Sequence, residues 1–275
     1  MNPQAAPCIS PGAILASLIL NRGLIVNLIR REVIGRYRGS VMGILWSFLN
    51  PILMLSVYTF VFSMVFKARW AGGSESKTEF ALILFSGLMI FNLFSECINR
   101  APVLILSNVN YVKKVVFPLE ILPWVTMGSS AFHMVVSLAV WLLFYGVFIG
   151  VPSLSILLLP VVLLPLFLLT LGLSWLLASL GVFLRDLAQV TSVVTMMLLF
   201  LSPIFYPLAA LPENYQAWIH LSPLTVAVEQ ARAVMILGKT LDWGTWLIYF
   251  LVSILITGVG FAWFQKTRRG FADVL

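Results

Sequence analysis

Long apolar stretches without charge alternate along the chain with short segments that carry most of the charged residues. A helix needs about 20 mostly apolar residues to cross roughly 30 Å of hydrocarbon at about 1.5 Å per residue. The longest uncharged stretch, 121–184, has room for two crossings, and the turn sequence Gly150–Ser153 divides it. The pattern therefore predicts six transmembrane helices, over 44–66, 80–99, 121–149, 155–182, 187–207 and 243–265.

The composition supports a membrane location for these helices. Hydrophobic residues make up 61% of the chain and charged residues 10%, and the mean hydropathy is +1.03. Water-soluble domains have about 45–50% apolar and about 25% charged residues. Since a soluble fold of this size has too little interior for so much apolar surface, the composition predicts an all-α membrane protein.

The distribution of basic residues predicts how the helices are oriented. With the N-terminus in the cytoplasm, the inner segments hold twelve of the 17 Lys and Arg residues, and such an excess is typical of cytoplasmic loops. Both termini of a six-span chain are then cytoplasmic, and no basic residue precedes Arg22 to make 13–20 a secretory signal. The net charge of +7 is explained by these clusters beside anionic lipid, so no nucleic acid partner is expected.

Residues 21–40 are predicted to form an amphipathic helix along the inner leaflet, after an N-terminal cytoplasmic segment, 1–20. Apolar and aromatic residues recur at helical spacing on one side of this helix, and polar residues lie on the other. The alternative is a basic cluster that only sets the topology. The apolar side comprises Val26, Ile29, Val33 and Tyr37, and the polar side Asn27, Arg31 and Arg38.

The predicted inner loop, 100–123, combines charged residues with prolines that favour turns. Such a loop is a candidate docking surface for a soluble partner, and by composition alone it is equally a solvated connector. Its candidate contact residues are Lys113, Lys114, Phe117 and Glu120.

The predicted outer segment between the fifth and sixth spans is longer than a turn requires. Its prolines and a glycine divide it into two short helical candidates, 213–221 and 224–237, within a region of 212–238. Glu229 and Arg232, at spacing i and i+3, are able to pair on one helix face. We expect a short helical hairpin that dips into the outer leaflet and caps a transport pathway. The alternative is an amphipathic surface helix with a solvated ion pair.

Sequence motifs for catalysis and nucleotide binding are missing. The two histidines, His133 and His220, lie in different predicted segments, and Cys8 and Cys97 lack metal-ligand spacing. The segment 233–240 has the spacing of a phosphate-binding loop, but its bulky apolar residues would prevent the backbone amides from surrounding a phosphate. The sequence therefore predicts no catalytic residue, no metal site and no enzyme activity.

Charged residues within the predicted spans are few. Glu96 lies near the inner end of the second span, and Arg185 and Asp186 follow the fourth. An ion-coupled transporter usually carries carboxylates near the membrane midplane. We therefore expect a separate subunit to supply the energy for transport.

Aromatic residues are numerous, with 20 Phe, 9 Trp and 7 Tyr. Their rings are able to stack on the C–H faces of sugars, and Tyr and Trp add hydrogen bonds. A channel lined in this way would let a glycan pass without holding one unit tightly, whereas lipid contact or core packing is the alternative for each residue. The candidates in the first and fifth spans are Trp46, Phe48, Tyr58, Phe62, Phe205 and Tyr206.

Five segments in a fixed order carry a resemblance to a known family. They are Arg31–Pro51 (REVIGRYRGSVMGILWSFLNP), Lys114–Pro123 (KVVFPLEILP), Phe183–Asp186 (FLRD), Ser222–Leu224 followed by Glu229 and Arg232, and Phe271–Leu275 (FADVL). From about residue 22 to 275 the chain resembles ABC-2-type polysaccharide export permeases, the membrane subunits of O-antigen, capsule and teichoic acid exporters. Within this family, the sequence RYRGS…WSFLNP is most similar to the corresponding sequences of O-antigen exporters.

The resemblance implies an ABC-2 (type V ABC exporter) fold and a homodimer with a channel at its interface. It also implies two ATPase subunits that bind ATP and Mg, with no cofactor in this chain, and a cargo of O-antigen polysaccharide on undecaprenyl diphosphate, exported from the cytoplasm to the periplasm. The matching residues then receive roles. Arg31, Arg36, Tyr37 and Arg38 would meet the lipid diphosphate, Lys113, Lys114, Phe117 and Glu120 the ATPase, and Glu229 and Arg232 would form the periplasmic gate.

Several alternatives remain open at this point. A capsule or teichoic acid permease, or a drug or lipid exporter of the same fold, would differ only in cargo. An ion-coupled secondary transporter needs a coupling carboxylate, and a membrane-embedded transferase needs acidic residues or histidines clustered at one membrane face. The charge-poor spans favour neither of these last two.

Overall fold

The computed structural model describes residues 11–61, 77–113, 117–220 and 222–275. These residues form helices joined by turns and short 3-10 segments, and no strand occurs among them. The predicted all-α architecture is confirmed. The α-helices are α1 (Pro11–Leu20), α2 (Arg22–Tyr37), α3 (Trp46–Phe60), α4 (Lys77–Arg100), α5 (Val109–Lys113), α6 (Leu122–Phe148), α7 (Leu159–Phe183), α8 (Leu187–Leu201), α9 (Glu213–His220), α10 (Pro223–Met235), α11 (Trp243–Thr267) and α12 (Phe271–Val274).

Within the described ranges, five helical stretches are long and apolar enough to cross a membrane, so the chain is a multi-pass membrane protein. The pair α1 and α2 is bent by 69° at Asn21. The stretches are Gly43–Phe60, Thr78–Val103, Leu119–Phe148, Leu154–Phe183 and Trp243–Val274.

The fifth predicted span corresponds to α8, which is shorter than expected. It ends at Leu201, after 15 residues or about 22 Å, whereas the sequence predicts a helix to 207. Ser202 has an extended backbone, with φ −82° and ψ 147°. The reason is Pro203, because the residue before a proline is forced out of the helical conformation.

The centre of the bundle is built on close helix contacts. In α4 nearly every side chain from Phe80 to Ile98 is buried. Helices α7 and α11 pack backbone to backbone where two glycines meet, since a Cβ on Gly260 would lie 2.1 Å from the Gly172 carbonyl oxygen. Small residues at helix contacts are typical of membrane bundles.

Asp242 caps the amino-terminal end of α11. Its carboxylate accepts hydrogen bonds from the Thr245 hydroxyl and from backbone amides, and these bonds lower the pKa of Asp242.

Helix α2 packs along α6, with the Ile29 side chain placed over Gly128. Its buried residues are Ile25, Leu28 and Val33, whereas Val26 is 62% exposed. The apolar side predicted from the sequence is therefore wrong at Val26. The reason is that contact with α6 selects the buried face, and the amino-terminal half of the helix is apolar on more than one side.

Two helices, α9 and α10, occupy the region between the fifth and sixth spans, close to the two predicted candidates. Helix α10 is buried against α4 and α7 along most of its length. Its packing contradicts the alternative of a solvated surface helix. A short helical hairpin is present, and α10 belongs to the bundle.

Candidate functional site

A cluster of two arginines and two glutamates joins α2 to one end of α4. Arg36 pairs with Glu96, and Arg100 contacts Glu96 at 3.4 Å and Glu32 at 2.5 Å. These side chains are between 22% and 37% exposed. The four charges cancel, so the predicted lipid-diphosphate residue Arg36 is already paired with a carboxylate of the same chain. We call this group the α2–α4 ion cluster; its end of the bundle is the one predicted to face the cytoplasm.

Arg31 links the predicted lipid-diphosphate residues to the predicted ATPase-contact segment. Its guanidinium donates a hydrogen bond of 2.7 Å to the Tyr111 hydroxyl. The Tyr111 ring in turn stacks on Phe117, with 4.3 Å between ring centroids and 10° between planes. Tyr111, which the sequence analysis did not single out, therefore connects the two groups of candidates.

Two other predicted ATPase-contact residues, Lys113 and Glu120, differ in exposure. Lys113 is exposed at the end of α5, and Lys114 lies outside the described residues. Glu120 is buried, and its carboxylate accepts a hydrogen bond of 3.0 Å from Arg268 near the carboxyl terminus. The Glu120 backbone carbonyl also accepts one from Trp175 at 2.9 Å. Glu120 thus ties the inner loop to α7 and α11, and its contact with an ATPase stays a prediction.

A polar cavity of about 430 Å³ lies between α3, α4 and α6, directly beyond the α2–α4 ion cluster. Tyr37 reaches it from α2, where its hydroxyl lies 3.4 Å from the His133 Nδ1 atom. We call this cavity the α3–α4–α6 slot. Its polar lining comprises Arg36, Tyr37, Ser47, Asn50, Tyr58, Asn92, Ser95, Glu96, Ser130, His133 and Ser137.

The predicted channel aromatics fall into separate places. Trp46 and Phe48 are exposed on α3, whereas Tyr58, on the same helix, lines the slot. Near the carboxyl end of α8 the Phe205 ring stacks on Phe200, at 5.8 Å between centroids. The Tyr206 hydroxyl donates to the carbonyls of residues 200 and 201, where α8 ends. Phe62 lies outside the described residues, and the channel role of all six stays a prediction.

The two predicted gate residues differ sharply in exposure. The Arg232 side chain is 5% exposed and that of Glu229 39%. Arg232 donates to Glu229 at 3.1 Å and to the backbone carbonyls of Ile83, at 3.3 Å, Ile204, at 2.8 Å, and Pro203. Burial lowers the pKa of the Arg232 guanidinium, and Glu229 partly offsets this effect. Arg232 therefore fastens α10 to α4 and to the turn after α8, and a gating role for the pair stays a prediction.

The sequence analysis missed Asn92 as well as Tyr111. Asn92 interrupts an apolar span with an amide, and an intramembrane polar residue of this kind is a signal for function. Tyr111 gives no comparable signal, because an aromatic residue in a loop has many ordinary roles. His133, which the sequence places in a different segment from His220, contacts Tyr37 and lies at the wall of the slot.

The chain is similar to known membrane transport proteins over almost its full length. Residues 23–236 match the ABC-2 type transporter family. The O-antigen export system permease protein RfbA of Klebsiella pneumoniae is 28% identical over 253 residues, which are 92% of this chain and 95% of the relative. A protein of the same name from Myxococcus xanthus is 28% identical with the same coverage. The polysialic acid transport protein KpsM of Escherichia coli is 26% identical and covers 82% of this chain and 86% of its own length. Because the family match covers well over half of the residues, the chain belongs to the ABC-2 type transporter family.

Proposed function

We propose that the chain is the membrane permease subunit of an ABC transporter that exports O-antigen polysaccharide linked to undecaprenyl diphosphate. Export runs from the cytoplasm to the periplasm across the bacterial inner membrane, with both termini of the chain cytoplasmic. A separate ATPase subunit, present in two copies, binds ATP and Mg and supplies the energy. Two copies of this chain form the channel between them.

The observation that carries the proposal is the likeness to O-antigen export permeases over more than nine-tenths of both chains. The relatives from Klebsiella pneumoniae and Myxococcus xanthus are each covered to 95%. A match of this extent includes the inner loop and the α9–α10 hairpin as well as the spans. It therefore favours a shared transport role over a shared membrane fold alone.

The exposed surfaces of α3 and α8 support a channel between two copies. Helix α8 buries only Thr191 and Thr195 in this chain, and α3 only Ser47 and Leu55. Trp46 and Phe48 are both exposed on α3, in different directions, and an exposed aromatic ring is able to meet a glycan that passes between two subunits.

The link from Arg31 through Tyr111 to Phe117 supports a route for energy coupling. An ATPase that closes on ATP would press on the inner loop near Lys113 and Phe117. Because the Tyr111 ring stacks on Phe117 and its hydroxyl holds Arg31, that displacement would be passed to α2. Movement of α2 would then shift α4 through the α2–α4 ion cluster, and differential contacts in the two nucleotide states would bias the channel.

A capsule exporter is the second candidate, and one observation favours it. The relative KpsM is named a polysialic acid transport protein. The cargo, not the mechanism, separates the two proposals. A teichoic acid exporter or a drug or lipid exporter of the same fold would differ in the same respect.

Deletion of the gene in the bacterium that encodes it tests the proposal. If the chain exports O-antigen, the lipopolysaccharide will lack its polysaccharide ladder and lipid-linked glycan will accumulate inside the cell, while capsule is unchanged. Loss of capsule with a normal ladder would instead favour the capsule exporter. Normal surface display of both polysaccharides would overturn polysaccharide export, and complementation with the intact gene is the control.

A further inference from the structure

Asn92 is the one exposed residue between Phe80 and Ile98, all of which are described. The other side chains of this stretch pack into the bundle. The Asn92 amide faces the α3–α4–α6 slot. Its side chain has no hydrogen-bond partner among the described residues, and neither has that of Asn50 on the opposite wall. Both amides are exposed, so their donor and acceptor atoms are accessible to a ligand or to water in the slot.

His133 provides a second, independent observation. Its Nδ1 atom lies 3.4 Å from the Tyr37 hydroxyl, while its Nε2 atom is buried without a partner in the described part of the chain. The imidazole therefore has one nitrogen in contact with Tyr37 and one that is covered by protein and unpaired. Because a covered atom is not reached from the slot, a ligand hydroxyl is able to bond to this nitrogen, as donor or acceptor, only after the ring rotates.

The slot is long and deep enough for more than a solvent molecule. On α4 its lining residues run from Glu96 to Phe85, which corresponds to about 16 Å along the helix axis. Its volume of about 430 Å³ falls within the range of small-molecule sites, roughly 300–1,000 Å³. The described residues that line the slot belong to one subunit, and two of them on α3, Asn50 and Met54, are exposed.

The charges at the mouth of the slot select against an anionic ligand. Arg36 is paired with Glu96, and Arg100 with Glu96 and Glu32, so the α2–α4 ion cluster has no net charge. Beyond Glu96 the polar lining consists of amides, hydroxyls and the His133 imidazole. Among the described residues, a diphosphate would find no unpaired cation there. A neutral ligand with many hydroxyl groups would find several donors and acceptors.

From this arrangement we propose that the α3–α4–α6 slot binds a neutral sugar unit of the lipid-linked glycan within a single subunit. The proposal rests on the proposed function and adds a separate recognition site to it. Sugar recognition in the slot would let the transporter distinguish a loaded lipid carrier from an empty one before the channel opens.

Protection of an introduced cysteine tests this proposal. The permease, with Cys8→Ser and Cys97→Ala, carries Asn92→Cys and is reconstituted with its ATPase in lipid nanodiscs. Its rate of labelling by a charged methanethiosulfonate reagent is measured with undecaprenyl diphosphate carrying a neutral trisaccharide, and with undecaprenyl diphosphate alone. At about ten times the Kd of the sugar-bearing lipid, we expect labelling to slow about tenfold. The bare lipid should have little effect.

Ser153→Cys, exposed between α6 and α7 and outside both the slot and the exposed surfaces of α3 and α8, is the matched control, and neither lipid should slow its labelling specifically. Ser137→Cys replaces Asn92→Cys if the latter fails to assemble with the ATPase, since Ser137 also lines the slot. Equal protection by both lipids would show that the slot binds the carrier and would overturn the proposal. Absence of protection, or of any labelling at both positions, would also overturn it. If the same complex still exported glycan in cells, the proposed function would stand without the slot.

Discussion

Replacing Arg232 with methionine should destabilise the outer half of the bundle far more than neutralising its ion-pair partner. The guanidinium holds α10 to the backbone of α4 at Ile83 and to the turn after α8 at Pro203 and Ile204. Methionine has a similar length but no donor. The three carbonyls would keep their burial and lose their charged partner.

The expected loss of stability in each variant depends on how deeply the replaced side chain is buried. Removing one member of a buried charged network costs about 3–5 kcal/mol, because the remaining polar groups stay desolvated. The Glu229 side chain is 39% exposed, and a solvent-accessible ion pair is worth about 0.2–1 kcal/mol. On a scale of about 2–4 °C per kcal/mol, Arg232→Met should lower Tm by about 6–20 °C and Glu229→Gln by at most about 4 °C.

Thermal unfolding of the detergent-solubilised permease, followed by size-exclusion chromatography, measures both variants against the unmodified protein. Arg232→Lys is a third variant whose Tm is compared with the other two. Its single ammonium group retains the charge but cannot match the planar fork of donors that reaches several carbonyls, so an intermediate Tm is expected. If Arg232→Met and Glu229→Gln lowered Tm by the same small amount, the proposed packing role of Arg232 would be refuted. The ion pair would then be the one contribution to stability that the two residues share.

Three further predictions concern helix packing, the channel and the ion cluster. Gly260→Ala should lower Tm, because the added Cβ would lie 2.1 Å from a backbone oxygen, whereas Gly258→Ala, with no atom within 4 Å, should leave Tm unchanged; equal Tm values would contradict the close packing. Trp46→Ala should reduce glycan export measured at the cell surface while co-purification of the ATPase persists, and unchanged export would remove Trp46 from the channel. Arg36→Glu should reduce export more than membrane insertion, and adding Glu96→Arg should restore part of it; no recovery in the double variant would argue against a functional pair.

The α8 helix shows which structural features the local sequence is able to predict. An uncharged stretch predicts a crossing near 187–207, and the same stretch contains the reason for the shorter helix, since Pro203 forces Ser202 out of the helical conformation. The start of α11 is equally local, because Asp242 caps it with its own side chain. The α9–α10 hairpin was also predictable from its prolines. These features depend on neighbours a few residues away.

The contacts that define the candidate sites have a different origin. Glu96 was visible in the sequence as a rare intramembrane charge, yet its partner Arg36 lies 60 residues away, and Tyr37 and His133 are separated by 96. Val26 illustrates the same limit, because helical spacing placed it on the apolar side with Ile29 and Val33, and packing against α6 left it exposed.

The sequence by itself determined that the chain is a helical membrane protein, where most of its helices lie and which charges are rare enough to matter. The bilayer imposes those properties on every segment separately, through length, hydropathy and backbone hydrogen bonding. Only the tertiary structure decided that Arg232 is buried, that Arg31 reaches Phe117 through Tyr111, and that three helices enclose a polar slot. In a bilayer all apolar helix faces are nearly equivalent to lipid, so shape and hydrogen bonding between particular helices select the partners.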